Sequence, residues 1–331
     1  MATVSVLMPV FNTSAYLGQA IASILAQEYG DFRFYILDDA SSDDSWLIIQ
    51  GYAAADSRIV ALRNSTNEGI ARSRDRLIAQ VATPYFAWMD SDDISTPDRL
   101  RCQVACLDAH PQVVAVSSGY VILGAERTLV KRSSPSKLAV DMLFSNQIVN
   151  PAAMVRTAAA QASAFSFASC GVKSATDYAF WIAMSRQGQL AVLPRVHLHY
   201  RIHAGQESTA NKQLQRMSAK QLAAEQLRAF GLEVPAAVVP DLYLFAGDQP
   251  VTTAETVGDL YLSLLQLNRT TRAFDESLLR GRLAENYARY CKFFGAGGVR
   301  AFIQYLGWRS LLPMRYCGLH FIWRCLTYTG D

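Results

Sequence analysis

Apolar residues alternate between two periods along the first 110 positions. Val4–Met8 is a short apolar run ended by Pro9, and Phe32–Leu37, Ile59–Leu62 and Tyr85–Met89 repeat that pattern, which predicts four buried strands. Helical spacing separates them. Leu17, Ala20, Ile21, Ile24 and Leu25 share one face after Ser14. Further helices are predicted over 44–55, 69–81 and 97–109, the last opened by Pro97 at the favoured first position. Such alternation predicts βαβ units, an α/β Rossmann-like architecture with a mostly parallel sheet flanked by helices. The middle of the chain is less regular, with strands over 113–123 and 190–201, loop and hairpin over 124–138, and a helix over 176–185. From about 211 the period becomes helical, over 211–230, 252–267 and 275–294. The expected organisation is an α/β part over 1–210, with halves of about 1–110 and 111–210, and a helical C-terminal extension over 211–331.

Composition narrows the function classes. The 331 residues are 51% hydrophobic and 18% charged, which excludes a disordered polar chain. A formal net charge of +3 argues against a dedicated nucleic-acid binder. That charge is unevenly spread. Residues 281–331 hold seven basic and two acidic residues, +5, and the other 280 residues carry −2. The same tail is rich in aromatics, among them Tyr287, Phe293, Trp308 and Trp323. Basic and aromatic residues interleaved on helices too short and too charged to span suit peripheral contact with a membrane interface. A helical lid or a homo-oligomer contact fits the tail equally. The N-terminus has no basic leader, so no signal peptide is expected, and the setting is read as cytoplasmic, peripheral on the inner membrane face. The six cysteines form no CxxC pair. Reduced thiols are expected, and a disulfide or structural zinc framework is not.

Ligands of doubly wound sheets bind beyond the carboxyl ends of the strands. Two acidic clusters fall there, Asp38-Asp39 with Asp43, and Asp90-Ser91-Asp92-Asp93. Carboxylates crowded at a strand end repel one another. A hard cation such as Mg²⁺ or Mn²⁺ relieves that repulsion and keeps positions open for substrate phosphates. A solvated loop leading into a helix is the plainer explanation, and Asp43 suits a helix cap. No GxGxxG follows the first strand, so the dinucleotide fingerprint is absent.

Four stretches taken together resemble the family 2 glycosyltransferases of GT-A fold. They are Val4-Ser5-Val6-Leu7-Met8-Pro9-Val10-Phe11-Asn12, Ile36–Asp43, Asn67–Asp75 and Ala87–Asp93 followed by Pro97–Leu100. The resemblance continues more loosely through Thr176–Trp181 to Tyr200-Arg201-Ile202-His203 and covers about 1–205. It implies an inverting enzyme that moves a sugar from a nucleoside-diphosphate donor, UDP- or dTDP-linked, to a hydroxyl of a glycan or lipid-linked acceptor in surface polysaccharide synthesis. Carried over by position, Pro9, Val10 and Asn12 line the nucleotide pocket and Asp39 recognises the pyrimidine. Arg72 stands near the diphosphate. Asp90 and Ser91 face the ribose or metal shell. Asp92 and His203 hold a divalent metal, Mn²⁺ or Mg²⁺, through the DxD motif, and Asp177 is the general base. Relatives carry Glu-Asp where this chain has Thr176-Asp177, so one acidic neighbour of the base is missing. Two other readings use the same carboxylates, a catalytically silent sugar-nucleotide-binding scaffold and a metal-dependent nucleotidyltransferase. The latter calls for a Gly-rich basic triphosphate loop near the first strand, and none is visible.

Overall fold

The structure, a computed structural model, describes residues 2–124, 128–129, 133–203, 205–206, 211–244, 248 and 251–293. The expectations for the basic aromatic tail beyond 293 lie outside the described residues. The chain divides into two compact units. One comprises residues 1–135 and 148–211, the other residues 136–147 and 212–331.

The first unit is built on one sheet. Its strands are β1 (Val4–Val10), β2 (Phe32–Asp38), β3 (Ile59–Arg63), β4 (Tyr85–Trp88), β5 (Ile94–Ser95), β6 (Val113–Ile122), β7 (Thr128–Leu129), β8 (Met154–Arg156) and β9 (Gln189–Tyr200). Their spatial order is β3-β2-β1-β4-β8-β6-β9-β5, with β7 paired to β6. The β3-β2-β1-β4 half is parallel, as is the β6–β9 pair. The three-residue β8 joins the halves by antiparallel pairing with both β4 and β6. Helices α1 (Ser14–Leu25), α2 (Ser45–Ala55), α3 (Ile70–Ile78), α4 (Arg99–Ala109), α6 (Thr157–Ser163) and α7 (Thr176–Ser185) complete it. All seven residues of β1 are buried, as a strand covered on both faces must be. The α/β fold with helix-flanked sheet is as predicted.

The loop expected over 124–138 is only partly a loop, because α5 (Pro135–Met142) begins inside it. Pro135 sits where its missing N–H costs nothing. The second unit gathers residues 136–147 with α8 (Lys212–Ala229), α9 (Ala254–Thr271) and α10 (Glu276–Phe293). Its core joins Val140, Leu143 and Phe144 to Leu227, Leu264, Leu283 and Tyr287. No described helix is long and apolar enough to cross a membrane.

Pro9 was expected to end the first strand, yet β1 runs on to Val10. The Leu7 carbonyl accepts from Met89 on the β4 side, and the Val10 carbonyl accepts from Asp39 on the β2 side. Strand groups alternate sides, so the Pro9 position faces the β4 side. There β4 has already left the sheet, its pairing with β1 ending at Leu7–Trp88. The proline therefore forfeits no ladder bond. The order reverses between β1 and β4, where doubly wound sheets bind their ligands.

Candidate active site

Three strand ends meet at this switch point. Asn12, just past β1, adopts a left-handed φ of 51°, which asparagine tolerates better than most residues. Its side-chain Oδ1 accepts from the Ser42 amide at 2.8 Å, and its own amide donates to Ser41 Oγ at 2.9 Å. The β1 and β2 ends are thereby tied together. Asp43 does more than cap one helix. Its carboxylate accepts from the Ser45 amide at the start of α2 and from the Ser14 amide at the start of α1, at 3.0 and 2.9 Å.

The two neighbouring aspartates differ. Asp38, fully buried, pairs with Arg63 Nε at 2.9 Å and braces the Ser41 turn. Asp39 Oδ1 accepts from Asn64 Nδ2 at 2.6 Å and the Glu68 amide at 2.9 Å, and Oδ2 accepts from the Gly69 amide at 2.8 Å. A carboxylate offers about four lone-pair positions. Asp39 thus fixes the loop before α3 and keeps acceptor capacity on Oδ2. Ala40, between the two bracing residues, is left-handed at φ 57°.

The acidic loop after β4 is held from several sides. Ser91, buried, accepts from Thr13 Oγ1 at 2.9 Å. Asp92 Oδ2 lies 2.9 Å from His203 Nε2, which brings together two residues 111 apart in sequence. Tyr16 packs against the His203 ring in a tilted arrangement, 4.7 Å between centroids. Arg201, which sequence reasoning passed over, clamps the loop. Its amide donates to Asp93 Oδ1 at 2.9 Å and its Nε to the Asp92 carbonyl at 2.8 Å. Asp93 is 1% exposed, and its Oδ2 has no hydrogen-bond partner among the described residues. Burial first, then the charges of Asp90 and Asp92, push its pKa up to about 9. Arg99, fully buried, donates to the carbonyls of Trp88 and Pro151 and places a positive charge near Asp93 and Asp90.

The arginine that reaches the acidic loop is Arg74 rather than Arg72. Its Nη2 is 4.0 Å from Asp90 Oδ1, and its guanidinium lies over Trp88 and Phe167. Arg72 is exposed on α3. Helical spacing was the available signal, since Arg74 follows the buried Ser73 and precedes the buried Leu77 by three. Asp75 was likewise missed. It accepts from Ser166 Oγ and from the amides of Phe167 and Ala168 at 2.7–3.0 Å, pinning that loop to α3.

Asp177 lies in the first turn of α7, half-buried, after the left-handed Ala175. Phe180, three residues on along the same helical face, packs edge-on against Trp88 at 6.4 Å and stacks on Phe167 at 5.1 Å. Aromatic packing therefore positions α7 against the last residue of β4. Pro9 and Val10 are buried at the end of β1.

The acidic loop and His203 together can hold a cation on oxygen and nitrogen ligands. Residues 5–167 match the family model described as Glycosyl transferase family 2. The chain is 38% identical over 120 residues to the putative glycosyltransferase EpsE of Bacillus subtilis, covering 36% of this chain and 43% of that protein. It is 28% identical over 220 residues to WfaP of Escherichia coli, a UDP-Glc:alpha-D-GlcNAc-diphosphoundecaprenol beta-1,3-glucosyltransferase, covering 64% of this chain and 82% of that one. Its fold is similar to that of the mannosyltransferase PcManGT from Pyrobaculum calidifontis, solved in complex with GDP-Man and Mn²⁺. That likeness has a TM-score of 0.56 at 17% identity and covers 95% of this chain and 81% of the other.

Proposed function

From the match of residues 5–167 to that family model, we propose that the protein is a family 2 glycosyltransferase that transfers a sugar from a nucleoside-diphosphate donor, UDP- or dTDP-linked, to a hydroxyl of a glycan or lipid-linked acceptor, with inversion at the anomeric carbon, in surface polysaccharide synthesis. The acceptor class follows what the name of WfaP says of that relative. The observation that carries the reading is the Asp92–His203 pair at 2.9 Å, set in a three-carboxylate loop at the switch point of the sheet.

The residues present fit a divalent metal. Asp93 Oδ2 is buried without a partner among the described residues, and burial, then the charges of Asp90 and Asp92, push its pKa up to about 9. Asp92 and His203 would hold the ion, with Asp90 beside them, in a Mn²⁺- or Mg²⁺-compatible donor set. A bound cation supplies charge stabilisation to the departing diphosphate.

The rest is done by the chain. Pro9, Val10 and Asn12 line the nucleotide pocket, and Asp39 accepts from the pyrimidine. Arg74 stands beside Asp90 to offset negative charge as it develops, and Arg72 meets the nucleotide from the exposed side of α3. Asp177 takes the acceptor proton as that oxygen attacks the anomeric carbon. The bond from that carbon to the diphosphate oxygen breaks, and its electron pair leaves with the nucleotide. One base opposite the leaving group gives a single displacement and inversion. The transition state has oxocarbenium character.

The test is nucleoside-diphosphate release across a panel of nucleotide sugars with Mn²⁺ and with chelator. Release is expected only with metal, with Asp92→Asn and Asp177→Asn each slower by roughly 100-fold or more. Wild-type turnover in both variants would sink the assignment.

A further inference from the structure

The two histidines of the 197–203 stretch that the structure involves in short contacts point to different places. His203 meets the acidic loop. His197, in β9, is fully buried, and neither ring nitrogen has a hydrogen-bond partner among the described residues. An imidazole enclosed with both nitrogens unpaired is costly. Its Nε2 faces Asp98 Oδ2 at 3.7 Å, beyond hydrogen-bond distance. Cys102 Sγ lies 3.8 Å from the same carboxylate oxygen. One ligand atom from each of the three residues lies within 4.8 Å of the others.

These separations have a chemical meaning. Zinc bonds of about 2.0–2.3 Å to oxygen, nitrogen and sulfur place tetrahedral ligand atoms about 3.3–3.6 Å apart. The two measured separations from Asp98 Oδ2 are within a few tenths of an ångström of those edges. From this we infer that Asp98, Cys102 and His197 form a second metal site, for a borderline-soft divalent transition metal of the zinc class, with a fourth position left to solvent. The donor set separates it from the acidic loop. Thiolate with imidazole selects zinc-like ions, whereas clustered carboxylates select magnesium or manganese.

The surroundings support the three ligands. Thr96 Oγ1 donates to Asp98 Oδ1 at 2.8 Å, which turns Oδ2 toward Cys102 and His197. The backbone carrying Asp98 is braced by Gln27, buried, whose side chain donates to the Thr96 carbonyl and accepts from the Leu100 amide. The Thr96 amide donates to the His197 carbonyl at 3.1 Å, so the turn that leads into α4 is already held against β9 before any ion binds. Burial, and then the neighbouring Arg99, Arg195 and Arg101 against the pull of Asp98, lower the His197 pKa and keep the imidazole in its neutral, ligating form. The Asp98 side chain is 29% exposed, which leaves an entry path and room for a water ligand. Occupied, the site ties the first turn of α4 to the strand that leads into Arg201 and His203.

The test uses the full chain stripped with a chelator and titrated with Co²⁺ as a spectroscopic probe. One equivalent is expected to give a thiolate-to-cobalt charge-transfer band in the near ultraviolet and the strong visible absorption of tetrahedral cobalt. Zn²⁺ should bleach both. Asp92→Asn should keep the band, because the acidic loop has no thiolate. Cys102→Ala should lose it and weaken Zn²⁺ binding by roughly 100-fold or more, at or beyond the upper end of what an outer-sphere partner carries. Asp98→Asn, which retains an acceptor for Thr96, should weaken Zn²⁺ binding by roughly 10-fold or more. Zn²⁺ should also protect Cys102 from alkylation, read by peptide mass spectrometry. A metal-free urea midpoint for Cys102→Ala equal to wild type shows that the loss is not unfolding. Absence of the charge-transfer band in the wild type overturns the inference. So does its persistence in Cys102→Ala, or equal alkylation of Cys102 with and without Zn²⁺.

Discussion

Asp93 makes the metal-free protein sensitive to pH in a direction opposite to most carboxylates. Its pKa is pushed up to about 9 in the folded chain, against about 3.9 for an aspartate in an unfolded one. Between those values the folded state binds one proton more than the unfolded state, so stability must fall as pH rises. Each pH unit well inside the window costs about 1.36 kcal/mol. From pH 7 to 8.5 that amounts to about 2 kcal/mol, a large share of the roughly 5–15 kcal/mol that holds a domain folded. This interval also lies above the range where His197, whose pKa is lowered by burial, changes its charge. The assay is urea denaturation in chelator at pH 7.0, 7.5, 8.0 and 8.5. The wild type should lose about 2 kcal/mol across the series, and Asp93→Asn, which carries no proton to lose, should stay flat. Added Mn²⁺ should restore wild-type stability at pH 8.5 by neutralising the loop. Parallel pH profiles for wild type and Asp93→Asn would refute the burial argument.

Three further substitutions test separate links. Ala40→Gly should raise the urea-extrapolated stability by about 0.5–1 kcal/mol, because Ala at φ 57° costs more than glycine's added chain entropy. Arg74→Ala should destabilise by about 1–3 kcal/mol through lost packing over Trp88 and Phe167 and a lost partner for Asp90, whereas the exposed Arg72→Ala should change stability by no more than about 0.5 kcal/mol and raise donor KM instead. Asp75→Ala removes the acceptor of three hydrogen bonds, so it should cost about 2–3 kcal/mol and speed amide exchange at Phe167 and Ala168.

Much of the sheet was legible because its strands are buried on both faces. β1 and β4 read as near-continuous apolar runs, β2 as an apolar run broken only by the exposed Arg33, and α1 and α7 fall where periodicity put them. β5 and β8 span two and three residues, too short for any period to emerge, and their pairing depends on partners distant in sequence. α5 was hidden for another reason. Its buried positions answer to partners in α8, α9 and α10, not to a local stripe. At the site, the acidic loop and His203 were legible as motifs. Arg201, Arg74 and Asp75 lie inside the matching stretches, but their contacts with backbone groups and ring faces distant in sequence could not be read from them. The Asp98–Cys102–His197 cluster was invisible to spacing rules because its ligands come from a helix start and a strand almost 100 residues apart.

The sharing of residues 136–147 between sequence neighbours of one unit and packing partners of the other sets an order of events during synthesis. Val140, Leu143 and Phe144 leave the ribosome at least 79 residues before Ala223, the first residue that α8 adds to their core, and well before Tyr290. At roughly 5–20 residues per second, that wait is on the order of 4 to 30 s. For its duration these three apolar side chains wait for the partners that the described core gives them from α8 onward. The burial of this segment is thus the step of vectorial folding that waits on α8, α9 and α10.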